Sequence, residues 1–311
     1  MFKNYLKIAR FDHWIKQLFI VPGIVFALCI LDSSTWNWTD VIVSTLLALL
    51  STSCCASANY VINEWLDAEF DKFHPTKKNR PVVAGGMKAK WVAVEYIIFA
   101  AAGIVAAFFV SWWVFGLEAF LLVMGILYNV KPMRTKEIAY LDVITESLNN
   151  AIRLLIGWFA VTSIYMPPIS IIIGYWTGGA FLMATKRYAE YKMIDDKSTA
   201  SLYRKSFEKY TENSLLISAI FYALVSVFFC GIFMLKYRIE LIFAIPFVCG
   251  LFCYYLHLSN KPDSTAQKPE KLLKEKGLMI FVFVLIVVIV ALMFIDMPFL
   301  QGLLDKTLIS Y

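Results

Sequence analysis

The feature that most constrains this chain is a series of long apolar segments that recurs over its whole length. A helix that spans a bilayer needs about 20 mainly apolar residues, and nine segments approach this length and composition. They cover residues 17–32, 41–63, 91–110, 113–129, 143–161, 167–185, 214–235, 239–257 and 278–296. Because they are too long for strands and do not alternate, they predict an all-α integral membrane protein with nine transmembrane helices.

Composition supports the same fold class. The chain is 60% hydrophobic and 17% charged, and its mean hydropathy is +0.67, whereas a soluble domain is about half apolar and a quarter charged. This surplus excludes a disordered chain, a secreted disulfide scaffold and an ordinary cytosolic enzyme. The six cysteines lie in apolar runs without metal-ligand spacing. Since no linker interrupts the chain, we predict one domain over residues 1–311.

Basic residues are divided unevenly between the two sides that nine spans define. One side holds 25 of the 29 lysines and arginines, the other holds Lys236, Arg238 and Lys306, and Arg153 lies within a span. Cytoplasmic loops of membrane proteins carry this excess of basic residues. The sequence therefore predicts the inner (cytoplasmic) membrane, a cytoplasmic N-terminus and a C-terminus on the opposite side. With the basic residues explained in this way, no nucleic-acid partner is expected.

The acidic end of the second span is the most informative stretch. At about 100° per residue, Glu64, Asp67 and Asp71 share an arc of about 60° on a helix, and Asn63 continues this polar stripe into the membrane. Three carboxylates on one face repel each other, unless a divalent cation such as Mg²⁺ joins them to substrate phosphates. We therefore predict that all four residues are metal ligands and that Asn63 also binds substrate. The alternative is a solvated helix end.

Basic residues follow the acidic helix directly. Pro75 ends the helix, and Lys77, Lys78 and Arg80 follow within one short loop. Cations beside a carboxylate cluster suit a diphosphate, whose charge one Mg²⁺ does not neutralise alone. We predict that these three residues bind substrate, although anchoring on the positive side of the membrane explains them equally well.

A second polar stripe lies in the fifth predicted span. Asp142, Glu146, Asn149 and Arg153 fall within about 60° of one another on a helix. Charged residues at membrane depth are costly and normally face a bundle interior or a wet cavity. We predict a catalytic role for Asp142 and substrate binding for the other three, together with Tyr128 at the end of the preceding span. The alternative is a purely structural ionic network.

A third charged segment, Lys-Arg-Tyr-Ala-Glu, ends the sixth span. We predict that four of its residues bind substrate: Lys186, Arg187, Tyr188 and Glu190. As an alternative, Lys186 and Glu190 are four residues apart and could pair on the helix surface.

Taken together, these pieces resemble the UbiA superfamily of intramembrane prenyltransferases, and within it the polyprenyl-phosphate phosphoribosyltransferases. The superfamily resemblance rests on the N[DE]xxDxxxD motif at residues 63–71 and on the second acidic helix. The closer resemblance rests on residues 10–22, 71–85, 186–190, 204–211 and 269–270. It implies a UbiA-type helical bundle with a polar cavity that faces the cytoplasm.

Three functions fit this sequence. In the favoured one, phosphoribosyl diphosphate bound with Mg²⁺ loses pyrophosphate, and a polyprenyl phosphate attacks the sugar at C1. The second transfers a polyprenyl group from its diphosphate to an aromatic or other small acceptor. The third is a transporter or channel, but a transporter would show broken helices near the midplane, whereas the polar residues here gather at one face. Two anionic substrates require more cations, which favours the first.

In the favoured hypothesis Asp67, Asp71 and Asp142 are the catalytic residues. Mg²⁺, with Lys78 and Arg80 nearby, would stabilise the departing pyrophosphate. Because an ionised phosphate is already nucleophilic, no strong general base is needed. The lipid chain would enter between the spans from the surrounding membrane lipids, where apolar walls bind isoprene units.

Overall fold

The structure, a computed structural model, describes residues 2–32, 36–72, 77–194, 202, 204–261 and 275–305. Within these ranges the regular structure is helical throughout, which confirms the all-α prediction. The chain forms two compact units, one of Met1–Pro167 with Ile194–Thr211 and one of Pro168–Met193 with Glu212–Tyr311. The single domain over 1–311 stays a prediction.

The first unit is built from six α-helices joined by short connections. They are α1 (Phe2–Ile8), α2 (Val21–Ile30), α3 (Trp38–Asp71), α4 (Ala89–Phe108), α5 (Trp112–Asn129) and α6 (Leu141–Val161). Single turns or short runs of 3₁₀ helix cover Phe11–Ile20, Lys77–Asn79, Thr135–Glu137 and Lys205–Glu208. Polar side chains cap two of the longer helices: Asn37 accepts a hydrogen bond from the Thr39 N–H at 3.2 Å, and Ser111 accepts one from the Val114 N–H at 3.2 Å.

The second unit contains the remaining helices. They are α7 (Ile169–Lys192), α8 (Glu212–Tyr237), α9 (Ile245–Ser259), α10 (Lys276–Phe294) and α11 (Pro298–Asp305), with a 3₁₀ helix at Ile239–Ala244. Helices α7 and α8 pack closely, and the Ser226 hydroxyl of α8 donates a hydrogen bond to the Gly174 carbonyl of α7 at 2.8 Å.

Each of the nine predicted spans falls on a helix, but only part of the set has the composition of a transmembrane helix. Among the described residues, seven segments are long and apolar enough to cross a membrane: Asn4–Ile30, Trp38–Asp71, Ala89–Phe108, Trp112–Asn129, Glu212–Tyr237, Ile239–Ser259 and Lys276–Phe294. Helices α6 and α7 are absent from this set, although they have 21 and 24 residues. These two helices carry the second polar stripe and the Lys-Arg-Tyr-Ala-Glu segment.

Large apolar side chains cover the outer faces of several helices. Ile97 of α4 is 62% exposed, Leu224 of α8 is 66% exposed and Phe283 of α10 is 67% exposed. A soluble protein rarely leaves so many large apolar side chains in water, whereas a bilayer covers them at no cost. This pattern is that of an integral membrane protein.

Helix α3 is the longest element and carries the first acidic motif beyond the apolar layer. Its 34 residues span about 51 Å at 1.5 Å per residue, compared with a hydrocarbon core of about 30 Å. Its middle part, residues 51–58, consists of small residues that are all buried against neighbouring helices. The helix is therefore longer than one crossing of the apolar layer requires, and the acidic motif occupies its C-terminal end.

Helices α2 and α6 approach each other closely at two glycines. A methyl group at Gly23 would overlap the Leu154 carbonyl oxygen, and one at Gly157 would overlap the Ile20 carbonyl oxygen. Small residues at such crossings allow the two backbones to come into contact. This crossing holds α6 against the 3₁₀ helix of residues 11–20, and so places the polar stripe of α6 beside that segment.

Candidate active site

The last turns of α3 carry the acidic motif on an uninterrupted helix. The Asn63 side-chain amide donates a hydrogen bond to Asp67 Oδ2 at 3.3 Å, as expected for residues one turn apart. Glu64 and Asp71 are buried, whereas the side chain of Asp67 is 20% exposed. Asp67 is thus the most accessible of the three acids.

Glu64 and Asp71 are each paired with an arginine from another segment of the first unit. Arg10, just before the 3₁₀ helix of residues 11–20, places Nε 3.1 Å from Glu64 Oε2. Arg80, in the loop after α3, pairs through Nη1 with Asp71 Oδ2. Ion pairs with buried carboxylates require good geometry to offset desolvation, and both arginines donate hydrogen bonds here.

Asp67 has two cationic partners, and both come from the loop between α5 and α6. Arg134 Nη2 lies 3.1 Å from Asp67 Oδ1, and Lys136 Nζ pairs with the same oxygen. Lys136 also donates a hydrogen bond to Asn129 Oδ1 at 2.8 Å, and the Asn63 amide donates to this oxygen as well. Asn129 therefore joins the loop to the acidic helix.

We call these seven residues the charged cluster: Glu64, Asp67, Asp71, Arg10, Arg80, Arg134 and Lys136. Lys136 is the one lysine of this cluster and is buried, at 8% exposure. Burial lowers the pKa of Lys136 to about 8, the Asp67 carboxylate opposes this effect, and the positive charges of Arg134 and Arg204 add to it. At neutral pH the amine is still mainly protonated and can bind an anion.

The loop between α5 and α6 is held in a defined conformation. Arg134 and Tyr140 have positive φ angles of 31° and 67°, a region that side chains other than glycine rarely adopt. The Tyr140 N–H donates a hydrogen bond to the Tyr210 hydroxyl, and the hydroxyls of Thr135 and Thr145 are 3.0 Å apart. These contacts join the loop to the start of α6 and to Tyr210.

Asp142, at the start of α6, lies in a different environment. Its side chain is fully buried, at 0% exposure. Its Oδ1 accepts hydrogen bonds from the Tyr210 hydroxyl at 2.7 Å and the Val143 N–H at 3.0 Å, and Oδ2 accepts one from the Ser206 hydroxyl at 3.1 Å. Arg204 Nη1 lies 3.6 Å from Oδ2. We call Asp142, Arg204, Ser206 and Tyr210 the closed cluster.

The rest of the polar stripe on α6 faces other partners. Glu146 Oε2 accepts a hydrogen bond from the Tyr128 hydroxyl at 3.0 Å. Arg153 Nε donates to Gln17 Oε1 at 2.8 Å, and its Nη1 donates to the Asn149 carbonyl at 3.1 Å. No ion pair of Arg153 is present in the described part of the chain, so the stripe does not form the ionic network considered above.

In the second unit, the end of α7 carries the Lys-Arg-Tyr-Ala-Glu segment. Arg187 is fully buried, and its Nη1 lies 3.4 Å from Glu190 Oε2. The Tyr188 hydroxyl donates a hydrogen bond to Asn260 Oδ1 at 2.8 Å, and Lys192 Nζ donates to the same oxygen at 3.0 Å. These contacts fix the segment against the end of α9, and Lys186 is half-buried beside it.

A cleft of about 710 Å³ opens in the first unit beside the loop between α5 and α6. Four basic residues line it: Lys131, Arg134, Lys205 and Lys209. Glu137 and Glu208 line it as well. Because Arg134 belongs to both the cleft and the charged cluster, an anionic group in this cleft can reach the cluster.

Comparison with known proteins assigns the chain to a family. Residues 20–282, most of the chain, match the model of the UbiA prenyltransferase family. The chain belongs to this family. This confirms the resemblance to the UbiA superfamily, and the acidic motif of residues 63–71, called the UbiA motif below, lies within the matched range.

Curated relatives include decaprenyl-phosphate phosphoribosyltransferases of two organisms. The protein from Mycolicibacterium smegmatis is 30% identical over 68% of this chain and 63% of its own length, so the matched part spans less than two thirds of that relative. The protein from Mycobacterium tuberculosis is 26% identical over 68% of this chain and 67% of its own length. Among solved structures, a UbiA homologue from Archaeoglobus fulgidus bound to DMAPP and Mg²⁺ has a TM-score of 0.68 at 18% identity, covering 91% of this chain and 99% of its own.

The structure brings together only part of the site that the sequence predicts. The first unit gathers Asn63, Glu64, Asp67, Asp71 and Arg80 at one end of α3, and it places Tyr128, Asp142, Glu146, Asn149 and Arg153 on α5 and α6. The second unit holds Lys186, Arg187, Tyr188 and Glu190. Lys78 is exposed in the loop after α3. His74, the side chain of Lys77, residues 269–270 and Lys306 lie outside the described residues.

Sequence reasoning missed the partners of the acids. It assigned Arg134 and Lys136 to membrane topology alone, and it gave Arg10 and Arg204 no role of their own. A usable signal was present, because Lys131, Arg134 and Lys136 fall within one short loop, as Lys77, Lys78 and Arg80 do. Such a loop supplies cations to an acidic helix that packs beside it.

The residues of the UbiA motif have the chemistry of Mg²⁺ ligands, but in this structure they pair with basic groups. Among the described residues, no three acids are gathered into a group that could hold a metal by itself. Mg²⁺ is often bound through one or two carboxylates together with substrate phosphates, and Asp67 and Asp71 provide two carboxylates on one face. The predicted metal ligands fit this mode of binding and stay a prediction.

Proposed function

We propose that this UbiA family member is a magnesium-dependent transferase that moves 5-phosphoribose from phosphoribosyl diphosphate to a polyprenyl phosphate and releases pyrophosphate. The observation that carries the proposal is the charged cluster, which concentrates four basic side chains around three acids at one end of α3. The likeness to decaprenyl-phosphate phosphoribosyltransferases supports this choice of substrates within the family.

Charge balance explains why a cluster of this kind suits a diphosphate. Its three carboxylates and four basic groups leave one net positive charge, which Glu137 balances, since its Oε1 lies 2.6 Å from Arg134 Nε; one Mg²⁺ would then give a net charge of two. A diphosphate ester carries about this much negative charge near neutral pH, as its phosphate groups are ionised. The site would thus stay nearly neutral only when donor and metal bind together.

In the proposed reaction the bond between C1 of the ribose and the diphosphate oxygen breaks, and a bond from C1 to a phosphate oxygen of the lipid forms. Arg80, Arg134 and Lys136 would donate hydrogen bonds to the departing pyrophosphate as its charge grows. When bound by Asp67 and Asp71, Mg²⁺ would supply further positive charge to that leaving group. The attacking phosphate is already ionised, so no side chain has to remove a proton.

The proposed setting is the inner membrane, with nine spans and the charged cluster at the cytoplasmic face. Helices α6 and α7 would be the eighth and ninth crossings beside the seven apolar segments, since they are long enough and their polar residues would face the interior of the protein. Phosphoribosyl diphosphate is water-soluble and would enter from the cytoplasm. Labelling of Lys205 from the cytoplasmic side and of Lys306 only from the other side would support this arrangement, and labelling of both from one side would refute it.

Donor dependence is the direct test of the proposed function. We expect the purified full-length protein with Mg²⁺ to release pyrophosphate from phosphoribosyl diphosphate only when a polyprenyl phosphate is present, and to label that lipid with ribose phosphate. The matched reaction replaces the donor with a polyprenyl diphosphate and the acceptor with a carboxylated aromatic ring. Activity in this second reaction alone would show that the protein is a prenyltransferase instead.

A further inference from the structure

Arg153 is a charged residue of α6 whose described hydrogen-bond partners are all neutral. Its Nε donates to Gln17 Oε1 at 2.8 Å, and its Nη1 donates to the backbone carbonyl of Asn149 at 3.1 Å. Every arginine of the charged cluster is instead paired with a carboxylate. In the part of the chain that the structure describes, Arg153 has no carboxylate within salt-bridge distance, and the acid whose charge it influences, Glu118 of α5, is fully buried.

The position of Arg153 makes the lack of a salt bridge unfavourable in free energy. It lies 12 residues after the start of α6 at Leu141, which is about 18 Å along the helix and far inside the predicted membrane layer. A guanidinium does not lose its proton in a protein. A cation at membrane depth normally pairs with an acid or faces a wet cavity. Arg153 is half-buried, so part of its side chain is accessible to a ligand.

Gln17 is a second observation that points to the same missing group. Its side chain is 1% exposed, and its Oε1 accepts the hydrogen bond from Arg153. Its Nε2 has no hydrogen-bond partner among the described residues, although a buried donor without an acceptor is unfavourable. The Arg153 guanidinium and the Gln17 amide therefore lie side by side, and an anionic acceptor placed between them would satisfy both the charge and the unpaired N–H.

The surroundings restrict what this acceptor can be. Gln17 lies in the 3₁₀ helix of residues 11–20, which packs against both α3 and α6. Arg10, which directly precedes this 3₁₀ helix, belongs to the charged cluster, so the two sites are seven residues apart along the chain. The residues next to Gln17 and Arg153 along their two helices are mostly apolar, which suits a lipid better than the water-soluble phosphoribosyl diphosphate.

We propose that Arg153 and Gln17 bind the phosphate group of the lipid acceptor. The proposal rests on the proposed function, and it assigns the donor to the charged cluster and the acceptor to α6. Arg153 would provide the counter-charge and Gln17 Nε2 a further hydrogen bond to a phosphate oxygen. Recognition of the acceptor would therefore require a lipid that carries a phosphate, and a polyprenol would bind poorly.

Equilibrium binding tests this assignment without turnover. Radiolabelled short-chain polyprenyl phosphate and the matching polyprenol would be bound to full-length protein in detergent, in wild type, Arg153→Gln, Arg153→Lys and Gln17→Leu. We expect Arg153→Gln to weaken binding of the lipid phosphate about tenfold to a hundredfold, Gln17→Leu to weaken it less, and Arg153→Lys to restore much of the loss. Binding of polyprenol should be weak and equal in all four proteins.

Two controls separate this effect from a general loss of charge or of fold. Lys90→Gln removes an exposed cation at the start of α4 and should leave lipid binding unchanged. Binding of phosphoribosyl diphosphate with Mg²⁺ should also be unchanged in Arg153→Gln, because that ligand is assigned to the charged cluster. Equal weakening of both ligands in Arg153→Gln would overturn the assignment.

Three other results bear on the proposal. Wild-type affinity for the lipid phosphate in Arg153→Gln would refute it. It would also be refuted if Arg153→Gln weakened binding of a carboxylated aromatic ring while wild type did not bind the lipid phosphate. If wild type binds lipid phosphate through Arg153 but does not transfer ribose phosphate, the acceptor site stands and the proposed function fails.

Discussion

The charged cluster and the closed cluster each contain an aspartate at the end of a helix, Asp67 on α3 and Asp142 on α6, but the surroundings of the two side chains differ. Asp67 on α3 is 20% exposed and is paired with two cations from one loop. Asp142 on α6 is fully buried and receives hydrogen bonds from a tyrosine, a serine and a backbone N–H. The first acid has partners that a metal and a phosphate could replace, whereas the second has its oxygens occupied by the protein itself.

This difference separates two roles that the residue type alone does not distinguish. A site that binds charged ligands needs acids that a ligand can reach or whose basic partners a ligand can replace, as Asp67 and its neighbour Asp71 in the charged cluster are placed to allow. A structural acid is stable when every lone pair is satisfied in the folded state, as in the closed cluster. We therefore expect Asp67 and Asp71 to act in the reaction and Asp142 to position the segment that contains Arg204, Ser206 and Tyr210.

The largest expected effect is on turnover at the charged cluster. Asp67→Asn and Asp71→Asn remove a carboxylate that would bind Mg²⁺, and each should lower the rate of pyrophosphate release by at least about a thousandfold, which corresponds to about 4 kcal/mol in the barrier. Because each substitution leaves a basic partner without its acid, the thermal midpoint of unfolding in detergent is measured as well, and activity is expressed per folded protein. Initial rates at saturating donor and Mg²⁺ measure the loss.

Glu69 provides the matched control on the same helix. It lies within the motif but is exposed and points away from the cluster, so Glu69→Gln should keep nearly wild-type activity. If Asp67→Asn remained active at low Mg²⁺, the metal assignment would be wrong and the charged cluster would be only a structural feature.

At the closed cluster, the largest expected effect is on stability. Asp142→Ala leaves the hydroxyls of Ser206 and Tyr210 without an acceptor and Arg204 without its nearest acid, which should cost about 2–4 kcal/mol of folding free energy. Activity should fall only as far as the fraction of folded protein falls. The comparison uses the unfolding midpoint in detergent and the specific activity of the folded fraction.

The sequence also predicts a catalytic role for Asp142, and the same measurement decides between the two roles. A well-folded Asp142→Ala protein with a thousandfold loss of specific activity would show that the closed cluster opens during the reaction. In that case the contrast between the two clusters would not hold.

Much of the fold could be predicted from the sequence because apolar length and helical spacing are local properties. The nine apolar segments all fall on helices, and the continuous α3 keeps Asn63, Asp67 and Asp71 on one face. The pairing of these acids could not be predicted in the same way. Arg10 and Arg134 are 54 and 67 residues away from Glu64 and Asp67 along the chain, and only packing brings them together.

The division into two units also could not be predicted from local sequence patterns. The chain leaves the first unit after Pro167, returns at Ile194 and leaves again after Thr211, and none of these three crossings coincides with a linker of unusual composition. The return segment brings Arg204, Ser206 and Tyr210 to Asp142. A contact made by residues about 65 positions apart gives no periodic signal in the sequence.

The same substitution, arginine to glutamine, can be made in each of the two clusters. Arg134 pairs with Asp67 in the charged cluster, and Arg204 lies 3.6 Å from Asp142 in the closed cluster. Arg134→Gln should raise KM for phosphoribosyl diphosphate about tenfold to a hundredfold, since a charge-assisted hydrogen bond to the donor is lost. Arg204→Gln should lower the unfolding midpoint slightly and leave KM unchanged.

Steady-state kinetics over a range of donor concentrations distinguish these outcomes. A similar rise in KM for both variants would place the two arginines in one binding site, and the cleft that Arg134 and Lys205 line would then be the point where the clusters meet.

The smallest expected effect belongs to Tyr210, whose hydroxyl links the closed cluster to the loop between α5 and α6. It donates a hydrogen bond to Asp142 Oδ1 at 2.7 Å and accepts one from the Tyr140 N–H. Tyr210→Phe removes both bonds but keeps the buried ring, so stability should fall by about 1 kcal/mol. Because Arg134 and Lys136 are held by their own contacts to Asp67, KM for the donor should rise no more than about twofold, a difference of about 0.4 kcal/mol. Unfolding midpoints and donor KM values, measured for Tyr210→Phe beside Arg134→Gln, check both parts. A tenfold rise in KM for Tyr210→Phe would mean that the closed cluster sets the geometry of the charged cluster, and the two regions would then have to be treated as one site.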